Sequence, residues 1–329
     1  MISIAAALVG RRRLAQALAA IALGALTVLS TAPSRAQEIT IGEGIALGWG
    51  QFFVADHDKT WEKQGLVPKV STFASGRLVL DALVGGGVLI GTAAETPVVF
   101  ATLNGLPVRV IGTLNRHEPF DLVAIKDIKS AKDIKGRRIG YSQGTNAHYY
   151  LFKLLQQQGL SWSDITAVSL NPGDFASSLS GGAIDAFIWT EPHLSQAIAQ
   201  GKDRFHIIRS EGLYNTYSAI ITLQSTIDNK PELLVKALKA LIEADDNIRK
   251  NPEAAATLTA ERIKLDPAIA KSFWKRANFK LELDKPALVS LLQEQAKWAV
   301  DSKLVRPDAK IPDFSTVVVT SLLDQARKE

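Results

Sequence analysis

KGRRIGYSQGTNAHYYLFKLLQQQG, residues 135–159, is the stretch whose reading decides the fold. Basic positions lead into a short apolar strand over Arg138 to Tyr141, the chain turns through Ser142-Gln143-Gly144-Thr145-Asn146, and an amphipathic run follows. In that run Ala147, Tyr150, Leu151, Leu154 and Leu155 recur at three- and four-residue spacing, and Gly159 ends it, the pattern of a helix with one apolar face and a glycine stop. Strand, polar loop, helix is the unit of an open α/β sheet. In such sheets the ligand sits beyond the carboxyl ends of the strands, where loop hydroxyls, amides and unpaired helix N–H groups converge. The apolar face is packing, so the helix start is the chemically informative end. Residues 142 to 148 are therefore read as half of a binding cleft, with Gln143, Gly144, Thr145, Asn146 and His148 as candidate contacts.

Upstream the same alternation begins at Glu38. A strand at Ile39 to Gly42 feeds the loop Gly44-Ile45-Ala46-Leu47-Gly48-Trp49, and a helix carrying Gln51 runs to about Lys63 before Gly65. A second strand over Val67 to Phe73 precedes a helix from Gly76 to about Val84, for which Ser75 is a suitable N-cap. A third strand over Val88 to Gly91 leads through Glu95 and Thr96 into a helix whose first turn accommodates Pro97. Strands at Val108 to Leu114, just before Asn115, and at Phe120 to Ile125 follow. A second α/β set comes next, with strands near 138–141, 165–170, 184–188 and 205–208, so two sheets are expected. Beyond a strand at Ser218 to Leu223 the character turns helical, in segments opening at Pro231, Pro252, Pro267, Pro286 and Ser315.

With 329 residues, 47% of them apolar, the chain can bury a core in one large domain or two lobes. It has no cysteine, which excludes disulfides, thiolate nucleophiles, cysteine zinc sites and a lipid-modified cysteine. Residues 1–36 run Arg11-Arg12-Arg13, then apolar Leu14 to Leu29, then Ala32-Pro33-Ser34-Arg35-Ala36, the order of a secretory signal peptide cleaved after Ala36. The apolar run is shorter than the ~20 residues a membrane anchor needs, and the arginines also permit a twin-arginine route. Four arginines and no acid leave with that segment, which takes the formal charge from +5 to +1. The basic balance therefore belongs to the targeting peptide and licenses no nucleic-acid partner. Export without disulfides or an anchor points to a soluble protein of the bacterial periplasm.

Several motifs invite chemistry and are weaker than they look. Gly140-Tyr141-Ser142-Gln143-Gly144 matches the G-x-S-x-G elbow of serine hydrolases in the right strand-to-helix context, which makes an exported hydrolase built on Ser142 an alternative. An elbow also needs a glycine motif after an earlier strand, and Gly85-Gly86-Gly87 precedes its strand; hydroxyls at such turns more often cap helices or bind ligands. Gly42-x-Gly44-x-x-x-Gly48 hints at a dinucleotide loop, yet the spacing is off by one and no ribose-binding acid ends the second strand. His57, His117, His148, His193 and His206 show no paired metal spacing, so neither a metal nor another cofactor is expected, and no catalytic residue is assigned. Trp49 and Trp189 are aromatic residues at carboxyl ends of strands, where a core role and a ligand role compete. Glu191 and Glu95 stand at helix starts, where a solvated charge competes with a ligand acceptor. Ser75-Gly76, Thr96, Thr145-Asn146 and Gly173-Asp174 each precede a helix, so converging helix N-termini would suit an oxyanion, with Arg77 or Arg116 near enough to add full charge.

Ser75-Gly76 with Leu80-Asp81-Ala82-Leu83, Phe120-Asp121-Leu122-Val123-Ala124, Asp133-Ile134-Lys135-Gly136, Ser142-Gln143-Gly144-Thr145, Gly182-Ala183-Ile184-Asp185-Ala186 and Glu191-Pro192 follow one another along the chain. In that order and spacing the sequence resembles the taurine-, alkanesulfonate- and nitrate-binding proteins of ABC importers, and is also similar to thiamine-pyrimidine precursor binders. The resemblance implies an α/β class II periplasmic-binding-protein fold: two α/β lobes, 38–124 plus 219–329 and 125–218, joined by two crossovers over a ligand cleft. It further implies a monomeric solute binder that captures a small anionic or zwitterionic solute by lobe closure and delivers it to ABC permease and ATPase subunits. A thiamine-pyrimidine precursor or an aromatic carboxylate is the alternative ligand within the same fold. Leu89 and Ala94 stand where the family often has aspartate and glycine, and the first loop lacks its usual proline, departures that bear on the ligand rather than on the fold.

Overall fold

The computed structural model describes residues 36–118, 120–210 and 212–328. The expected signal segment 1–36 lies outside the described residues but for Ala36. From Gln37 the chain forms β1 (Gln37–Gly44), α1 (Gly50–His57), α2 (Thr60–Lys63), β2 (Leu66–Phe73), α3 (Gly76–Val84), β3 (Ile90–Ala94), α4 (Glu95–Leu103) and β4 (Val108–His117). It crosses over to β5 (Asp121–Ile125), β6 (Arg138–Tyr141), α5 (Asn146–Gln157), β7 (Thr166–Ser169), α6 (Phe175–Ser180), β8 (Ala186–Trp189), α7 (His193–Gly201) and β9 (Phe205–Arg209). It then returns through β10 (Thr216–Leu223), α8 (Gln224–Asn229), α9 (Pro231–Lys250), α10 (Pro252–Arg262), α11 (Pro267–Arg276), β11 (Asn278–Glu282), α12 (Lys285–Asp301) and α13 (Ser321–Lys328).

Two mixed sheets result, in the orders β11-β4-β10-β3-β1-β2 and β7-β6-β8-β5-β9. In each, strands linked through helices run parallel, as β1 does with β2 and β3 and β6 does with β7 and β8. Helices cover the faces, and each sheet has its own apolar packing: Ile41, Phe52, Leu238 and Leu241 on one side of the first, Leu83, Val110 and Ile221 on the other, and Ile139, Leu154 and Phe187 about the second. These are two α/β lobes. The chain changes sheet between His117 and Asp121 and returns between Arg209 and Thr216. These two crossovers run side by side, because β4 pairs with β10 in one sheet and β5 with β9 in the other. Glu118 ties them together: its carboxylate accepts the backbone N–H groups of Gly212 (3.0 Å), Leu213 (2.7 Å) and Tyr214 (3.1 Å).

Local chemistry explains most boundaries. Ser75 caps α3 by accepting from Leu78 N at 3.4 Å, and Asp266 and Asp284 do the same for α11 and α12. Proline occupies the first turn of α9, α10, α11 and α12. Gly159 follows α5 with φ of +70°, a left-handed stop. Several expectations change, among them the third strand, expected over Val88 to Gly91 and found at Ile90–Ala94. The helix expected to run unbroken to Lys63 breaks at Lys59, whose φ of 58° is left-handed. The helix expected from Ser315 begins only at Ser321, because Val318 is drawn into a bridge with Val110. Residues 278–282, in a stretch expected to hold only helices, form β11, where Leu281 N bonds to the buried Asp245 carboxylate at 3.1 Å.

Candidate functional site

The carboxyl ends of β1 and β3, the starts of α3 and α5, the end of β8 and the two crossovers meet around a cavity of about 50 Å³ between the lobes. That is room for a few water-sized groups. Gly44 N donates to Thr92 Oγ1 at 3.0 Å, which holds the first loop against β3. Gly76 lets α3 start there: a Cβ at this position would lie 2.8 Å from Ala93 Cα and 3.2 Å from Thr92 O, both backbone. Of the residues expected to contact a ligand, Trp49, Ser75, Gly76, Thr145, Asn146 and Trp189 line this cavity together.

The other expected residues lie elsewhere. Gln51 is fully buried and donates to Leu114 O (2.7 Å) and Asp245 Oδ1 (2.9 Å), which fastens α1 to β4 and α9. Asn115 holds Gly48 O at 2.5 Å and accepts from Ser218 Oγ at 2.9 Å, so it fixes the wall from behind. Glu95 and Thr96 point into the protein and engage Gln295 of α12. Gln143 is exposed, and Gly144 sits at φ of +74° beside the Arg77 side chain. His148 is enclosed by the rings of Tyr141, Trp162 and Trp298, with centroids 4.8 to 5.1 Å away, and burial lowers its pKa to about 4. Glu191 caps α7, accepting from Ser195 N at 3.0 Å and Ser195 Oγ at 2.9 Å; burial raises its pKa. It borders a larger neighbouring chamber of about 470 Å³, which meets the cavity at His117 and Thr190. Ser142 is buried beside α5 and is not among the residues lining the cavity.

His117, Phe120, Thr216 and Ser218 also line the cavity and were not expected there. All four lie at or beside the crossovers, and only the pairing of β4 with β10 brings them to the mouth of the strands. His117 is buried and its pKa is lowered to about 3 by desolvation, so it stands as a neutral imidazole, with no partner for Nδ1 among the described residues. Trp189 Nε1 is likewise without an acceptor among them.

The electrostatics favour an anion. Arg77 is the one full charge in the lining, and it has no carboxylate partner among the described residues. Thr145 spends its hydroxyl on Ser142 O at 2.7 Å instead of capping α5, so the first N–H groups of that helix stay available at the cavity. With α3 beginning at the same place, two helix starts and a guanidinium face one small space. Gly76→Val is expected to push α3 off β3, at a cost of about 1–3 kcal/mol from overpacking. The displaced donors should weaken anion binding roughly 10- to 150-fold. Calorimetric titration beside an unfolding curve separates the two effects, and unaltered affinity would mean that the α3 start is not part of the site.

The sequence model of a family described as NMT1/THI5 like matches residues 50–255. A protein of Escherichia coli (strain K12) named as aliphatic sulfonates-binding is 25% identical over 239 residues, covering 71% of this chain and 74% of that one. A counterpart of the same name from Bacillus subtilis (strain 168) is 26% identical over 277 residues, covering 83% and 82%. Among solved structures, the alkanesulfonate-binding protein SsuA from Xanthomonas axonopodis pv. citri, bound to MOPS, matches with a TM-score of 0.76 at 20% identity, over 86% of this chain and 98% of that one. The fold is thus that of the periplasmic binding proteins, as the resemblance implied, and these relatives are named for binding rather than for catalysis. With its family model spanning α1 to α10 and both lobes, the chain belongs to the NMT1/THI5-like family.

Proposed function

We propose that this chain is the solute-binding component of an ABC importer, working in the periplasm after loss of residues 1–36, and that its solute is a small organic sulfonate. The observation that carries this reading is the cavity between the lobes, where Arg77 and the starts of α3 and α5 converge without a carboxylate in the lining. A sulfonate offers three acceptor oxygens and keeps its charge at every working pH, which suits unpaired N–H donors and one guanidinium. Lobe closure would bury it away from water, and the closed form would be the one that permease and ATPase subunits recognise. The names of the relatives support the same class of solute.

A thermal-shift panel of ethanesulfonate, taurine, nitrate, benzoate and an aminopyrimidine tests this. Ethanesulfonate or taurine at about 100 times its dissociation constant should add about 2.7 kcal/mol of stability, and Arg77→Ala should weaken that ligand about tenfold or more. A response to benzoate or the aminopyrimidine alone would favour the second reading, an aromatic solute. That reading is supported by Trp49, Phe120 and Trp189 meeting in one lining.

A further inference from the structure

Behind the cavity wall lies a carboxyl group that oxyanion binding leaves unused. Glu95, at the start of α4, is fully buried, and its neighbours Ala94 and Pro97 line the cavity. Its Oε2 accepts from Thr216 Oγ1 at 2.7 Å and from Tyr217 N at 3.0 Å, and its Oε1 accepts from Gln295 Nε2 at 3.0 Å. The oxygen of Gln295 is already taken by Thr96 Oγ1 at 2.7 Å. These partners all donate, a set that fits the ionised carboxylate. None of them is a cation. The titratable groups acting on Glu95 from neighbouring elements are Tyr149 of α5, Tyr214 before β10 and Tyr217 of β10, each a neutral phenol with its pKa raised by burial. Desolvation also raises the pKa of Glu95.

The carboxylate reaches the cavity through one side chain. Thr216 lines the cavity, and with its proton given to Glu95 its oxygen accepts from Asn146 Nδ2 at 2.8 Å. Asn146 is the first residue of α5 in the other lobe and lines the cavity too, while Tyr214 OH donates to its carbonyl at 3.2 Å. A proton on Oε2 of Glu95, the oxygen that faces Thr216, reverses this relay. Thr216 must then accept from the acid and donate onward, and an amide nitrogen cannot accept, so Asn146 has to turn its oxygen to Thr216. The turn frees its NH₂ group as a donor.

Resting on the oxyanion reading of the cavity, we propose that an oxyanion enters together with a proton from solvent, which lodges on Glu95 and turns Asn146 over through Thr216. The physical reason is that a negative charge one side chain away makes the buried carboxylate harder to keep ionised. Linkage fixes the sign: the bound state holds the proton more tightly, so affinity rises as pH falls through the bound-state pKa and levels off below the free-state value.

Ethanesulfonate is the probe, because it carries no titratable proton of its own. Titration calorimetry of the wild-type protein in buffers of different ionisation enthalpy counts the protons. The expected result is a net uptake approaching one, with the dissociation constant rising up to about tenfold per pH unit in the window between the two pKa values. Glu95→Gln should bind without uptake. Where that variant does not fold, a protonated-carboxyl infrared band appearing when wild type binds ethanesulfonate supports the assignment, and uptake without such a band overturns it. Binding with no uptake between about pH 5 and about pH 8 overturns the inference and leaves the oxyanion reading standing. No binding of ethanesulfonate at any pH in that range overturns both.

Discussion

Acidification from about pH 7 to about pH 5 is expected to cost the fold about 2 kcal/mol at each of three buried imidazoles. His117, His148 and His193 are nearly inaccessible to water, and desolvation lowers their pKa values to about 3, about 4 and about 4, from 6.5 in an exposed chain. The unfolded chain takes up three protons as the pH drops below 6.5, and the folded chain refuses them until much lower. Stability from these residues is therefore complete above pH 6.5 and is lost as the pH falls from there toward 4 and 3. Glu43, Glu95 and Glu191 act in the opposite sense, since burial raises their pKa values and they bind protons earlier when folded. The net slope is thus smaller than the histidine sum, and the test is a difference. His148→Phe, which keeps a ring among Tyr141, Trp162 and Trp298, should remove about 2 kcal/mol from the pH 7 to pH 5 loss; His117→Gln and His193→Leu should each do the same. Urea unfolding at the two pH values measures it, and an identical pH difference in wild type and all three variants would refute the argument.

What the sequence disclosed, it disclosed through local physics. The strand Arg138–Tyr141, the cap at Ser75, the proline-led helices and the stop at Gly159 depend on residues a few positions apart, and they stand where the pattern puts them. The same rule, that loops at the carboxyl ends of parallel strands face the ligand, brought Trp49, Ser75, Gly76, Thr145, Asn146 and Trp189 to attention before any geometry. It fails to distinguish Glu95 from these. That residue follows β3 as Ser75 follows β2, yet it turns inward because Thr216 and Gln295, 121 and 200 residues further along, supply donors there. His117, Phe120, Thr216 and Ser218 escaped for the complementary reason: they matter only once the two crossovers lie together, and nothing near His117 in the sequence specifies that β10 is its neighbour. β11 was missed likewise, since five residues acquire a strand's identity from pairing with β4 and from Asp245, not from their own alternation.

Trp298→Ala is expected to destabilise the protein by about 3–5 kcal/mol. Trp298 lies on α12 of the first lobe and is 6% exposed. Phe100 of its own lobe meets it edge-on at 5.9 Å, while His148, Tyr149 and Phe152, all on α5 of the second lobe, lie 5.0, 5.0 and 5.7 Å away. Two polar contacts flank this cluster, Tyr149 OH to Glu294 Oε1 at 2.6 Å and Lys153 Nζ to the same oxygen at 3.4 Å. Glu294 is more than half exposed, so its ion pair with Lys153 contributes about 0–1 kcal/mol. Buried aromatic area outweighs it, and Glu294→Gln should cost far less than Trp298→Ala. Because three of the four ring partners belong to α5, whose first residue is Asn146 at the cavity, the truncation should also loosen the lobes where the ligand is held. Small-angle scattering should then give a larger radius of gyration for Trp298→Ala than for Glu294→Gln, and ethanesulfonate should bind the former more weakly. Equal stability losses in the two variants would mean that the polar contacts, not the packed rings, join α5 to α12.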